Sequence, residues 1–217
     1  MVVILLIVLL LIILIYIFVR ISNSPTGKGK IGEIFVHNIL SQLPEGYFVM
    51  NDILLKAGNK TTQIDHVVIS QYGIFTIETK NYRGEIYGDD NREEWTQMIV
   101  TDVHFKRKWY KTYTYVKKNH FYNPVKQSIA HVYAIKNILK EWPNLTIIPI
   151  IVFVGGASLA GIQSKYHVIY GHNLISTIMS YKYTCISADD VINIKNRVEQ
   201  KNARQLINNQ THINNIE

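Results

Sequence analysis

Three chemically capable side chains stand inside two apolar runs. The stretch "QIDHVVISQYGIFTIETKNYRG", Gln63 to Gly84, carries Asp65, Glu78 and Lys80 among valines and isoleucines. Two carboxylates crowded into a half-buried place repel each other unless a cation joins them. Oxygen ligands of this kind suit Mg²⁺ or Mn²⁺, with water completing the shell. Such an ion polarises a phosphodiester and lowers the pKa of a bound water, and a lysine beside it stabilises charge developing on phosphorus. The bland alternative is a cross-strand carboxylate–lysine pair, worth a few tenths of a kcal/mol.

Only a hairpin can bring these residues together. Alternation along a strand puts Glu78 and Lys80 on one face with Ile74 and Thr76, and Asp65 on a face with Val67 and Ile69. A two-residue loop at Tyr72-Gly73 pairs Gln71 with Ile74. Asp65 then lies opposite Lys80 and diagonal to Glu78. A three-residue loop would separate the carboxylates onto opposite faces.

The surrounding pattern supplies the other elements. Apolar positions Ile31, Ile34, Phe35, Ile39 and Leu43 predict a helix over Gly29–Leu43, ended by Pro44 and Gly46. "YFVMNDILL" reads as a first strand, Gln63–Ser70 and Ile74–Lys80 as the second and third. A turn at Arg83-Gly84 leads to a short fourth strand, and "EEWTQMIV" reads as another. Asn123 caps a second helix, Pro124–Lys140. Thr146–Val154 is a buried strand stopped by Gly155-Gly156, and "KYHVIYG" is a further one. "NLISTIMSYK" and the Ser187-capped "SADDVINIKNRVEQ" read as helices. The order is α-β-β-β-α-β with additions.

Several of these blocks together resemble the nuclease-related domain known as NERD, within the PD-(D/E)XK nuclease-like superfamily. They are "GKIGE", "QIDHVVIS", "YGIFTIETKNYRGEIYGD" and "FYNPVKQSIAHVYAIKNIL", covering roughly residues 29 to 155. The resemblance implies an α/β, restriction-endonuclease-like αβββαβ core: a mixed central sheet flanked by helices. It implies a Mg²⁺- or Mn²⁺-dependent nuclease acting on nucleic acid, DNA before RNA. By the same resemblance Asp65 and Glu78 are metal ligands, Lys80 is the motif lysine, and the first-helix Glu33 completes the metal shell. Gln127 is the polar residue of the second helix, a catalytic-site member. Where the superfamily often has a tyrosine four positions later, this chain has His131. Read from the residues alone, Gln127 and His131 share a helix face and serve a helix-cap network as readily as a substrate. His66 points away from Asp65 and reads as a structural histidine.

Two further stretches bear on function. "MVVILLIVLLLIILIYIFV", Met1–Val19, has no charged side chain. At about 1.5 Å per residue it makes a helix of about 28 Å, against a hydrocarbon core of about 30 Å. It lacks the basic start and small-residue cleavage site of a signal peptide. Arg20, Lys28 and Lys30 follow it and no basic residue precedes it, so a single-pass anchor in the cell membrane with the domain in the cytoplasm is expected. The lipid bilayer is thus an expected partner. Residues 20–28 read as a flexible linker; Gly27 at its end, with Gly29 and Gly32 just beyond, matches a dinucleotide fingerprint without the preceding strand it needs. "HFKRKWYKTYTYVKKNHFY" interleaves Lys106, Arg107, Lys108, Lys111, Lys117 and Lys118 with Trp109 and tyrosines, as a nucleic-acid-binding hairpin does; an anionic membrane surface would attract the same cations. A hairpin with an ordinary solvated basic face shows the same pattern.

Composition agrees with a polyanion partner. Of 217 residues, 23 are Lys or Arg and 16 Asp or Glu, a formal charge of +7. The single cysteine, Cys185, excludes a disulfide framework and a cysteine-cluster zinc site. The domain plan is an anchor at 1–19, the linker, a nuclease-like domain at 29–155, a C-terminal α/β extension at 156–200 and a polar tail at 201–217. A non-catalytic nucleic-acid-binding or protein-interaction module on the same fold is the alternative function.

Overall fold

The structure is a computed structural model and describes residues 2–22, 24–57, 60–104 and 112–203. In chain order it has α1 (Val2–Ser22), α2 (Pro25–Leu40), β1 (Phe48–Ala57), β2 (Lys60–Ser70), β3 (Gly73–Asn81), β4 (Gly84–Asp89), β5 (Glu94–His104) and β6 (Thr112–Tyr122). There follow α3 (Pro124–Ile138), β7 (Ile147–Val154), β8 (Ala157–Gln163), β9 (His167–Tyr170), α4 (Leu174–Met179) and α5 (Ala188–Lys201). The α-β-β-β-α-β order is present as α2, β1, β2, β3, α3 and β7.

The central sheet runs β1-β2-β3-β7-β9. It is mixed: β1–β2 and β2–β3 are antiparallel, β3–β7 and β7–β9 parallel. β3 is buried from Gly73 to Thr79, because helices cover both sheet faces. Such a strand reads as a nearly unbroken apolar run, which makes a charge within it conspicuous. On one face α3 and α5 bring Ala134, Ile135, Val191, Ile194 and Val198 onto Leu55, Val67, Ile69 and Ile74. On the other, α2 and α4 bring Val36, Leu40, Leu174 and Ile178 onto Val68, Phe75, Ile77 and Val152.

β3 turns at Gly84 into a second sheet, β6-β5-β4-β8. Gly84 has φ +78°, and a Cβ there would lie 2.4 Å from the Met98 carbonyl oxygen, so only glycine makes this corner. Trp95 of β5 stacks on Phe153 of β7 with centroids 6.4 Å apart and joins the two sheets. β5 and β6 form one long hairpin. β8 is an addition to the expected elements. Its "ASLAGIQ" has small residues and no alternation, and it is held by parallel pairing with β4.

Two expectations at the N-terminus change. Residues 25–28, expected in a flexible linker, form the first turn of α2. Ser24 is its N-cap, accepting from the Gly27 amide at 3.0 Å, and Pro25 opens the helix. Among the described residues no single helix is long and apolar enough to cross a membrane, so one spanning helix is not shown. Leu6–Ser22 and Pro25–Leu40, bent by 80°, meet that requirement only together.

Candidate active site

β3 delivers two of the three residues directly. Glu78 and Lys80 lie on the α3 side of the sheet, where α3 presents Gln127 and His131. α3 is fixed at its start by Asn123, buried, whose side chain accepts from the Val125 amide at 2.9 Å and donates to the Arg92 and Asp89 carbonyls. That cap sets where Gln127 points. Lys80 Nζ donates to Glu78 Oε1 at 2.7 Å and to Gln127 Oε1 at 3.1 Å. His131, 1% exposed, turns Nδ1 toward Glu78 Oε2 at 3.7 Å, too far for a hydrogen bond.

Asp65 reaches the same place by a different register from the one expected. The β2–β3 loop is Gln71–Tyr72, closed by Ser70 and Gly73. Ser70 Oγ accepts from the Tyr72 amide at 3.2 Å and donates to the Gly73 carbonyl at 3.3 Å, which holds the turn one residue earlier. The pairing therefore shifts by two residues. Parity is kept, and Asp65 comes level with Glu78 rather than Lys80. The β2–β3 ladder ends at His66 with Ile77. One step further, Asp65 Oδ2 accepts from the Thr79 amide at 2.7 Å. β1 bends at the same level, where Asp52 has φ 57°, and Ile64 packs in the same cluster as Val67 and Ile69.

The electrostatics of the pair follow from burial. Glu78 is 2% exposed. Desolvation pushes its carboxyl above the usual range; Lys80 opposes this and Glu33 adds to it. Asp65 is raised from 3.8 to about 8, first by burial and next by Glu78, with the Thr79 amide pulling it back. Glu33 contributes its charge from α2, where it is half-buried. His131 is held neutral, its pKa lowered to about 4 by burial and then by Lys80.

The carboxylates fit a divalent cation in one respect and miss an expectation in another. Glu78 Oε2 is buried without a hydrogen-bond partner, while Lys80 holds the other oxygen of the same carboxylate. With Asp65 beside it, the donor set is what Mg²⁺ or Mn²⁺ takes. Yet among the described residues no group of three His, Cys, Asp or Glu is gathered closely enough to hold an ion. The expected trio of Asp65, Glu78 and Glu33 is not assembled. The Thr79 amide occupies Asp65 Oδ2 and the Lys80 ammonium occupies Glu78 Oε1.

The chain matches the family model of the nuclease-related domain over residues 28–154. The chain belongs to the nuclease-related domain (NERD) family. It is also 34% identical over 183 residues to an uncharacterized protein of Bacillus anthracis, covering 82% of this chain and 78% of that one. No solved structure matches. The matched segment of this NERD protein contains Glu33, Asp65, Glu78, Lys80 and Gln127.

The remaining candidates divide. Lys106, Arg107, Lys108, Trp109 and Lys111 lie outside the described residues. Lys117 and Lys118 are exposed on β6, opposite Ile99 and Met98; as consecutive strand residues they point to different faces. His66 lies on the α2 side, with Nδ1 2.8 Å from Asn51 Oδ1, and His37 of α2 meets the same oxygen at 3.3 Å. Sequence reasoning missed the Thr79 amide, which no side-chain pattern announces. It also left His131 open, although the four-residue spacing from Gln127 puts both on the face that meets β3.

Proposed function

We propose that this NERD protein is a divalent-metal-dependent nuclease that hydrolyses phosphodiester bonds, in DNA before RNA. One observation carries the reading: the buried Glu78, with an unpartnered oxygen, stands beside a second carboxyl that burial keeps protonated near neutral pH. A purely structural strand does not need that arrangement, which costs stability. Asp65 and Glu78 would hold Mg²⁺ or Mn²⁺, which would supply Lewis-acid polarisation of the phosphodiester. The protein's own residues do the rest. Gln127 and Glu78 fix the Lys80 ammonium at a site rim where it faces charge developing on phosphorus. Glu33 strengthens the negative potential that draws the cation.

The same proposal anchors the protein in the cell membrane through α1, with the domain in the cytoplasm. Every described large apolar side chain between Ile4 and Ile21 is at least 45% exposed. Arg20, Lys28 and Lys30 lie on the domain side, as the positive-inside rule asks.

A non-catalytic binding module is favoured by one observation, the 2.7 Å Lys80–Glu78 pair, which a structural ion pair also shows. It gives no role to the raised Asp65 carboxyl or to Glu78 Oε2. Incubating DNA and RNA with the protein and Mg²⁺ or Mn²⁺ separates the readings. Cleavage by the wild type, lost in Glu78→Ala with binding kept, supports the nuclease. Binding without cleavage by the wild type leaves the module.

A further inference from the structure

Helix α2 carries apolar side chains on two sides. Gly32, Val36 and Leu40 face inward and are buried against the sheet. Ile31, Ile34 and Phe35 are 49%, 54% and 54% exposed. Their spacing of three and four residues makes one outward stripe. Lys28 and Lys30, exposed at the start of the helix, flank it. A soluble surface helix places polar residues there instead.

The junction with α1 is built, not loose. Ser24 Oγ donates to the Ile21 carbonyl at 2.6 Å and accepts from the Gly27 amide at 3.0 Å. A Cβ on Gly27 would lie 2.1 Å from the Ile21 carbonyl oxygen, so a glycine lets the helices meet this closely. Leu6–Ser22 and Pro25–Leu40 cross at 80°. With α1 along the bilayer normal, α2 lies nearly parallel to the membrane surface. Its buried side is occupied by the domain, so only the Ile31-Ile34-Phe35 stripe can meet lipid.

We infer that α2 is an interfacial helix that seats the catalytic domain on an anionic bilayer surface; the inference rests on α1 being the membrane anchor. Apolar side chains enter the acyl boundary while flanking lysines meet anionic headgroups, the usual division in a helix lying in the interface. The seat is coupled to the site. Asn81 Nδ2, one residue beyond Lys80, donates to the Lys28 carbonyl at 2.7 Å. A Cβ on Gly32 would meet Thr79 and Asn81 side chains at 3.3 and 2.9 Å. The strand end bearing Glu78 and Lys80 is therefore oriented by the helix that lies on the membrane, while the site itself lies on the α3 side of the sheet, the face opposite α2.

The test uses the full chain in vesicles of phosphatidylcholine and phosphatidylglycerol. In a Cys185→Ser background, since Cys185 is exposed and free, one environment-sensitive fluorophore is attached to Leu10→Cys, Ile34→Cys or Tyr133→Cys. Tyr133 is 68% exposed on α3, on the other side of the sheet. Position 10 reports the anchor, position 34 the seat and position 133 the aqueous reference. The inference expects position 34 to be quenched by a headgroup-proximal spin-labelled lipid and protected from iodide, as position 10 is, with position 133 open to iodide. Lipid quenching at 10 with iodide quenching at 34 equal to that at 133 overturns the seat and leaves the anchor standing. Iodide quenching at position 10 overturns both.

Discussion

Replacing Asp65 by Asn removes the charge and keeps an oxygen for the Thr79 amide, 2.7 Å away in the wild type. The Asp65 carboxyl titrates at about 8 in the fold against an ordinary 3.8. A raised carboxyl favours the fold only while protonated. Its contribution is complete below about pH 4 and is lost as pH rises through about 8. At about 1.4 kcal/mol per unit, holding this group at pH 7 costs on the order of 4 kcal/mol. Asn reproduces the site imperfectly, so the expected gain is ~2–4 kcal/mol, or about 4–16 °C in Tm for a domain of this size. The assay is thermal unfolding of wild type and Asp65→Asn, in detergent with EDTA, from pH 4 to pH 9. The two curves should coincide near pH 4 and diverge as pH rises, with the variant more stable. With EDTA omitted, added Mn²⁺ should stabilise the wild type and leave the variant unmoved. A variant equal to or less stable than wild type across the whole range would refute the electrostatic reasoning.

Two other outcomes follow from the same physics. His66 is lowered to about 4 by burial and then by His37, so its neutral form supports the fold fully above about pH 6.5 and that support is lost as pH falls to about 4. His66→Asn, which keeps a donor for Asn51, should flatten the acid loss of stability by ~2–3 kcal/mol in denaturant titrations at pH 7 and pH 4.5; equal acid sensitivity would count against it. Changing Lys106, Arg107, Lys108 and Lys111 to Ser should weaken DNA binding and flatten its log–log salt dependence by roughly one unit for each phosphate no longer neutralised. Saturating turnover should stay near wild type, because these cations bind ground state and transition state alike; an unchanged salt slope would assign the segment elsewhere.

Elements whose signals are local were legible in the sequence. Asn123-Pro124 announces the start of α3 because cap and first-turn proline act within a few residues. Ser187 does the same for α5. The charges in β3 stand out because a strand covered on both faces is otherwise apolar. The loop lies one residue earlier than expected because Ser70 closes it through its own side chain, a choice that strand alternation does not encode. Alternation does keep Asp65 and Glu78 together, since a shift of two preserves the face. β8 escapes because Ala157, Ser158 and Gly161 carry no period, and its place depends on β4. Residues 25–28 resemble a linker because glycines usually mean freedom, whereas here Gly27 serves close helix contact.

The central claim is that Asp65 and Glu78 share one divalent cation. Titrating the full chain with Mn²⁺ and following free ion by electron paramagnetic resonance tests it most directly. The account predicts one ion per wild-type chain, with affinity rising from pH 6 to pH 9 as the Asp65 proton leaves. Glu78→Gln and Asp65→Asn should each lose that site. A wild type that binds no Mn²⁺, or variants that bind it as tightly, would contradict the claim.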